Sequence, residues 1–313
     1  MVSWAYHQNA FVPLDQVSIA LNDVGFAMGV TVTDQCRTYG QRPFRLQDHL
    51  NRFARSCQLC GVHCPVTLAE LEKIIGEVLE RNVQQSAAGV DWSIVWLATP
   101  GEVGSFLGQP GTVRDAKPRL TVYGFPVDHN RFEQFERDGV ELRIPKTVTS
   151  PAGTVVHPHA KQRSRLHWWL AEGTVKHTHP HAQALLLDGD GYVTECASSN
   201  FLMVKRGEVF SPRRSRILPG VSLLVVEELC RENGIRFIEG DLREDDLEQA
   251  EEAFVSSTPF GIAPVGNLCG RQLALDGAVY GRLQSAWQRM VQRFIADQVK
   301  SGRSGFVHRQ QCC

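Results

Sequence analysis

Residues 182–212 hold three apolar runs, AQALLLD, YVTECASSNFLMV and VFSP, separated by the turn signals GDG and KRGE. Runs of this length, rich in Val, Leu, Phe and Tyr and split by Gly and Asp, specify an antiparallel β-meander. Glu195 does not suit it. It lies inside the second run, where a carboxylate is costly to bury unless a partner holds its charge. A chain that folds around this meander must supply that partner.

The rest of the pattern is mixed. Strands are expected at 16–22, in VTVTDQCRTYG at 30–40, at 91–99, and in RLTVYGFPV, VELRIPKTV, IRFIEG and EAFVSST. In LQDHLNRFARSCQLC, Leu50, Phe53, Cys57 and Cys60 fall on one helical face. Thr67 and Glu70 form a capping box ahead of the stripe Leu71, Ile74, Ile75, Val78 and Leu79. Further helices are expected at 162–176, in VSLLVVEELCREN with Gly234 closing it, and over 277–300. Residues 100–118, rich in Gly and Pro, read as a long mobile loop able to cover a site. The polar stretch DHNRFEQFERDG marks a domain boundary, giving a small α/β domain over 1–127, a larger domain over 128–300 and a disordered tail over 301–313. The fold class is α+β, and the lack of GxGxxG after a strand argues against a dinucleotide fold.

A net charge of −1 on 313 residues leaves no electrostatic footprint for nucleic acid or anionic lipid. No apolar run approaches the roughly 20 residues of a spanning helix, and no signal peptide is visible at the N-terminus. Nine irregularly spaced cysteines suit reduced thiols in the cytoplasm. Cys57, Cys60 and Cys64 in CQLCGVHC share helical spacing and read as core residues rather than zinc ligands. HTHPH at 177–181 reads as a solvated loop, and no metal is expected. Trp168 and Trp169 are expected to pack a helix on a sheet.

Several residues carry candidate chemistry. LPGVS at 218–222 places Pro and Gly before a helix, so the amides of Val221 and Ser222 are either an anion site or a plain helix start. Ser256, Ser257 and Thr258 end a strand and either bind phosphate or satisfy a turn. Arg52 stands beside an apolar helical stripe, solvated or phosphate-binding. Lys161 lies at a junction before a helix. It is either exposed or, if desolvated, a Schiff-base nucleophile.

Taken in order, RPFRLQDHLNRF, Lys161, TECASSNFLMV, ILPGVS and FVSSTPFGIAPV resemble the class IV aminotransferases, over about residues 16–290. That family includes branched-chain and D-amino-acid aminotransferases and aminodeoxychorismate lyase. The resemblance implies pyridoxal 5'-phosphate as cofactor, a fold-type IV chain whose larger domain has a barrel-like sheet, a cofactor cleft between two domains, and a homodimer. It implies that Lys161 forms the Schiff base, that Glu195 meets the pyridine nitrogen, and that Arg52, Leu218, Val221, Ser222, Ser257 and Thr258 surround the cofactor and its phosphate. The activity it implies moves an amino group between an amino acid, branched-chain-like or D, and a 2-oxo acid.

The chain departs from the family pattern at some positions. Thr33 stands where members often have Tyr or Phe, and Leu166 where branched-chain enzymes have Tyr. Pro100–Gly101 replaces the arginine–glycine of D-amino-acid enzymes, leaving Arg37 as candidate for the substrate carboxylate or as a strand ion-pair partner. Pro259, also near the substrate, removes an amide that members often offer. Asp34 holds a position usually acidic in the transaminases. The alternatives are pyruvate elimination of the aminodeoxychorismate lyase type and a catalytically silent binding protein.

Overall fold

The computed structural model describes residues 3–151 and 157–300, so the expected disordered tail and its Cys312–Cys313 pair lie outside the described residues. The chain divides into two compact units, one made of residues up to Val127 together with those from Gln288, the other of Asp128–Trp287.

The first unit opens with β1 (Trp4–His7) and β2 (Ala10–Pro13), a two-residue hairpin in which Gln8 and Asn9 take positive φ values of 48° and 69°. That left-handed pair matches the twist of the flanking strands. The strand expected at 16–22 does not form. A 3-10 turn, Leu14–Gln16, and an irregular segment lead instead to the short α1 (Val24–Ala27). The segment pairs with no strand of the sheet among the described residues, and Leu21 is left 72 % exposed. Next come β3 (Val32–Tyr39), β4 (Arg42–Pro43), α2 (Leu46–Cys60), α3 (Leu68–Val83), β5 (Trp92–Thr99) and β6 (Arg119–Pro126). The sheet order is β2-β1-β6-β5-β3-β4, antiparallel throughout. Both arms of the Thr67–Glu70 capping box form. Leu50, Phe53 and Cys57 of α2 and Leu71, Ile75 and Val78 of α3 meet Val32, Cys36, Ile94 and Trp96 in one core.

Residues 100–118 do not run as an open mobile loop. They fold on themselves through two 3-10 turns, Gly104–Leu107 and Val113–Asp115, with Ser105 N donating to Gly111 O at 3.1 Å.

In the second unit the polar boundary stretch is itself a helix, α4 (His129–Asp138), capped by Asp128 and anchored by Phe135 against Phe260. It is exposed on most sides and polar in composition, with only Phe132 and Phe135 as large apolar residues, so the stretch reads as a boundary rather than as a packed helix. Then follow β7 (Val140–Arg143), α5 (Leu166–Thr178), β8 (Gln183–Leu187), β9 (Val193–Cys196), β10 (Asn200–Lys205), β11 (Glu208–Pro212), α6 (Val221–Glu232), β12 (Phe237–Gly240), β13 (Glu252–Ser257), β14 (Gly261–Leu268), β15 (Arg271–Gln272) and α7 (Ala278–Lys300). Strand β14 has no counterpart in the sequence expectation, because Pro264 and Gly266 interrupt its apolar run; the ladder to β7 shifts register at that point. The run YVTECASSNFLMV, expected as one strand, is two: β9 and β10 are joined by a tight turn closed by Cys196 N to Ser199 O at 2.9 Å.

Pairing runs β10-β13-β14-β7-β8-β9 and returns from β9 to β10 through the pair Asn200↔Glu195, so these strands close into a six-stranded barrel. Its interior holds Leu142, Leu185, Val193, Cys196, Phe201, Met203, Val255 and Val265. Beyond β10 the sheet continues through β11 and the parallel β12. Helix α5 packs Ala171 and Val175 on Ala184 and Leu186, with Trp168 at the margin. Trp169 does not join them: it is 78 % exposed, correcting the expectation that both tryptophans pack on the sheet. The last helix was expected wholly in the second domain; its residues from Gln288 group with the first unit, where Phe294 meets Phe44 edge-on at 5.3 Å.

Gly261, at φ 79°, starts β14 with Trp287 so close that a Cβ would lie 2.6 Å from the indole. Gly261→Ala adds backbone strain to overpacking and is expected to cost about 3 kcal/mol, read as a lowered urea midpoint.

Candidate active site

The geometry around Glu195 follows from a defect in the barrel. Val193 pairs with Leu187 and Cys196 with Leu185, so Thr194 and Glu195 together stand opposite Leu186 alone. This is a β-bulge, which re-aims side chains. Val193 and Cys196 both stay in the barrel core, and the two bulged residues absorb the odd step. Thr194 secures it by donating Oγ1 to Leu186 O at 2.8 Å. Glu195 is left half-buried rather than enclosed in apolar core.

Both carboxylate oxygens of Glu195 are held. Leu218 N donates to Oε1 at 3.1 Å and Asn200 Nδ2 to Oε2 at 3.0 Å. Asn200 Nδ2 also donates to Leu218 O at 2.9 Å. Asn200 is paired by backbone with Ser256 on its other side, so Glu195, Asn200 and Ser256 form a row across β9, β10 and β13. The Ser256 hydroxyl is buried without a hydrogen-bond partner among the described residues. Ser257 Oγ donates to Ser198 O at 2.5 Å, tying the end of β13 to the β9–β10 turn. Thr258 and Pro259 follow in the turn before β14.

Leu218 leads into α6. Gly220 is its N-cap, and no side chain caps the first turn. The first amides of a helix lack intrahelical partners and favour an anion. Val221 and Ser222 stand there with 6 % and 7 % exposure. Lys161 is half-buried in the extended stretch before α5, which begins at Leu166 rather than at 162. Arg165 was not anticipated. Its guanidinium donates to Ala197 O, beside Glu195. Burial and Arg163 lower its pKa, while Glu195 and Glu172 act the other way. Only its place four residues after Lys161 hinted at it.

In the first unit, Arg52 is 7 % exposed and grips Asp34 with both arms, Nε to Oδ2 at 2.8 Å and Nη2 to Oδ1 at 2.7 Å. His49 Nδ1 lies 2.9 Å from the same Asp34 Oδ1. The cluster arises because β3 alternation points Asp34 to the side of Val32 and Cys36, which α2 covers. Burial alone would raise the Asp34 carboxyl, but Arg52 and His49 outweigh it and hold it well below the usual carboxylate range. Arg37 is 5 % exposed, with its guanidinium 4.1 Å over the Tyr39 ring and 3.8 Å from Asp91. Those neighbours are the ones a strand ion-pair partner has.

The residues of the second unit fit pyridoxal phosphate. An uncapped helix start with a hydroxyl in its first turn suits a phosphate, an unpartnered buried hydroxyl lies in the adjoining row, and an oriented carboxylate suits a protonated ring nitrogen. Among the described residues no cluster of His, Cys, Asp and Glu could hold a metal ion.

A family model for amino-transferase class IV matches residues 31–268. The chain belongs to this family. A D-alanine aminotransferase of Bacillus licheniformis is 25 % identical over 281 residues, 88 % of this chain and 93 % of its own. A branched-chain-amino-acid aminotransferase of Escherichia coli K12 is 27 % identical over 267 residues, 83 % of each chain. Among solved structures, the Escherichia coli branched-chain amino acid aminotransferase superposes with a TM-score of 0.80 at 23 % identity, covering 93 % of this chain and 95 % of that one. A branched-chain amino acid aminotransferase from Thermobaculum terrenum, in its PLP-bound holo form, gives 0.78 at 21 %, over 93 % and 94 %. The aminotransferase thus has the fold-type IV architecture.

The buried Asp34–Arg52 pair makes a testable statement about stability. With the folded pKa of Asp34 depressed, its contribution is complete above the unfolded value of about 4 and is lost as pH falls from there toward the folded value. Asp34→Asn leaves Arg52 short of its countercharge and is expected to cost about 3 kcal/mol at neutral pH. Urea unfolding should show the gap to wild type narrowing below about pH 4.

Proposed function

We propose that this class IV aminotransferase moves an amino group between an amino acid and a 2-oxo acid, with pyridoxal phosphate held by Lys161, Glu195, Val221, Ser222 and Thr258. The observation that carries the reading is a half-buried strand carboxylate, oriented at both oxygens, at the foot of an uncapped helix. When bound, the cofactor takes up electron density from the substrate α-carbon while its ring nitrogen is protonated.

The side chains divide the work. Glu195, oriented by Leu218 N and Asn200 Nδ2, would hold a proton at the ring nitrogen. The first amides of α6 and the Ser222 hydroxyl bind the phosphate and so fix the cofactor in one orientation. Lys161 would hold the cofactor through Nζ, and the same amine would serve as the general base for the substrate α-proton. Ser257, already bound to Ser198 O, supports the wall of the site from the β13 end.

The amino acid used is either branched-chain-like or a D-amino acid, the two classes named for the relatives above. A homodimer in the cytoplasm completes the reading. Leu21, Phe26 and Met28 in the first unit and Leu166, Trp169 and Leu170 in the second are at least half exposed, which supports burial against a second copy. The seven described cysteines are all free, and burial raises the thiol pKa of each, with Cys57 pushed up to about 12, as suits a reducing compartment.

The test is the visible absorption spectrum of the purified protein, before and after pools of L- and then D-amino acids. A cofactor band that bleaches with one pool supports transamination and selects the enantiomer. A band that never bleaches, with pyruvate released in the absence of any acceptor oxo acid, replaces transamination by elimination. Lys161→Ala is expected to lose the band and at least about a thousandfold of turnover; retained turnover overturns the assignment of the base.

A further inference from the structure

Resting on the pyridoxal phosphate reading, we propose that Asn200 is a positioning residue that couples the acid at the ring nitrogen to the phosphate-binding end of α6. The side chain of Asn200 is 4 % exposed and spends one amide group on two acceptors. Nδ2 gives one hydrogen bond to Glu195 Oε2 at 3.0 Å and the other to Leu218 O at 2.9 Å. Leu218 N returns to Glu195 Oε1 at 3.1 Å. One carboxamide and one main-chain residue thus hold both carboxylate oxygens and the entry to α6 as a closed ring of hydrogen bonds.

The other side of the amide explains a glycine. Gly220 has φ −64° and ψ 138°, a conformation open to any residue, so backbone freedom does not account for it. Space does: a Cβ at Gly220 would lie 2.0 Å from Asn200 Oδ1. Asn200 therefore sets the distance between Glu195 and the first turn of α6, which by the reading above bind opposite ends of one rigid cofactor. Its donor also stabilises the ionised form of Glu195. An asparagine needed only for barrel closure contributes its backbone pair with Glu195 and has no use for these side-chain bonds.

The experiment compares Asn200→Ala, Asn200→Asp and Gly220→Ala, each alone and combined with Glu195→Gln. The readouts are equilibrium dialysis against pyridoxal phosphate and thermal melting of the cofactor-free protein. Asn200→Ala is expected to weaken cofactor binding about tenfold, and less than about threefold in the Glu195→Gln background, since neighbours in one network are not additive. Asn200→Asp faces Glu195 with a second carboxylate. It should bind as weakly as the alanine variant at about pH 8 and recover toward about pH 6, where a shared proton restores a donor; the alanine variant should not recover. Gly220→Ala displaces the amide while leaving the closing backbone pair in place, and should reproduce the loss. Equal losses with and without Glu195, or a lowered melting temperature with unchanged cofactor affinity, reduce Asn200 to a fold residue and overturn the proposal. If the unmutated protein takes up no pyridoxal phosphate, the cofactor reading falls and takes this proposal with it. Wild-type binding with additive variants sinks the Asn200 role alone.

Discussion

The pairing of Asn200 with Glu195 is the constraint on which the second unit depends. It joins β9 to β10 through the backbone, and it turns an open sheet into a barrel. A barrel removes sheet edges but demands that interior residues alternate with exterior ones. A strand acid conflicts with that demand. The bulge at Thr194 and Glu195 resolves it by inserting one extra residue, so that Val193 and Cys196 both remain inside. The residue whose backbone closes the barrel is thereby also hydrogen-bonded, through its side chain, to the Glu195 carboxylate.

The two units treat buried charge differently. In the first, Asp34 is fully enclosed and its charge is matched locally by Arg52 and His49. Such a cluster tolerates burial because each ion is hydrogen-bonded as well as paired. In the second, Glu195 is half-buried, oriented by a backbone amide and a carboxamide, and its charge is felt by the Arg165 guanidinium.

Local chemistry was legible wherever one short segment decides the outcome. Thr67 with Glu70 announced the start of α3, and Gly234, at φ 64°, ended α6 as expected. The β1–β2 hairpin was missed because Gln8 and Asn9 carry positive φ without the glycine that usually signals such a turn. Strand β14 was missed because Pro264 and Gly266 read as loop, though pairing with β13 on one side and a register shift on the other accommodate both. The order of Lys161, Glu195 and LPGVS pointed to a candidate site, but the partners that hold Glu195 did not show. Asn200 looked like one polar residue in a strand, and the bulge depends on how β9 meets β8 rather than on β9 itself.

The barrel's connectivity bears on the order in which it forms. The β9–β10 turn joins residues close in sequence, whereas β7 pairs in parallel with β14 from the far side of the unit. Contacts between distant segments are entropically slow to make, and local hairpins form first. A nascent chain can therefore set Glu195 against Asn200 well before β14 is available, leaving β7 as an exposed edge in the interval. Pulse-labelled hydrogen exchange reads this order directly: amides of the β9–β10 turn gain protection early, those between β7 and β14 late, and the reverse sequence would sink it. Synthesis from the N-terminus thus builds the acid's cradle before the vessel around it is closed.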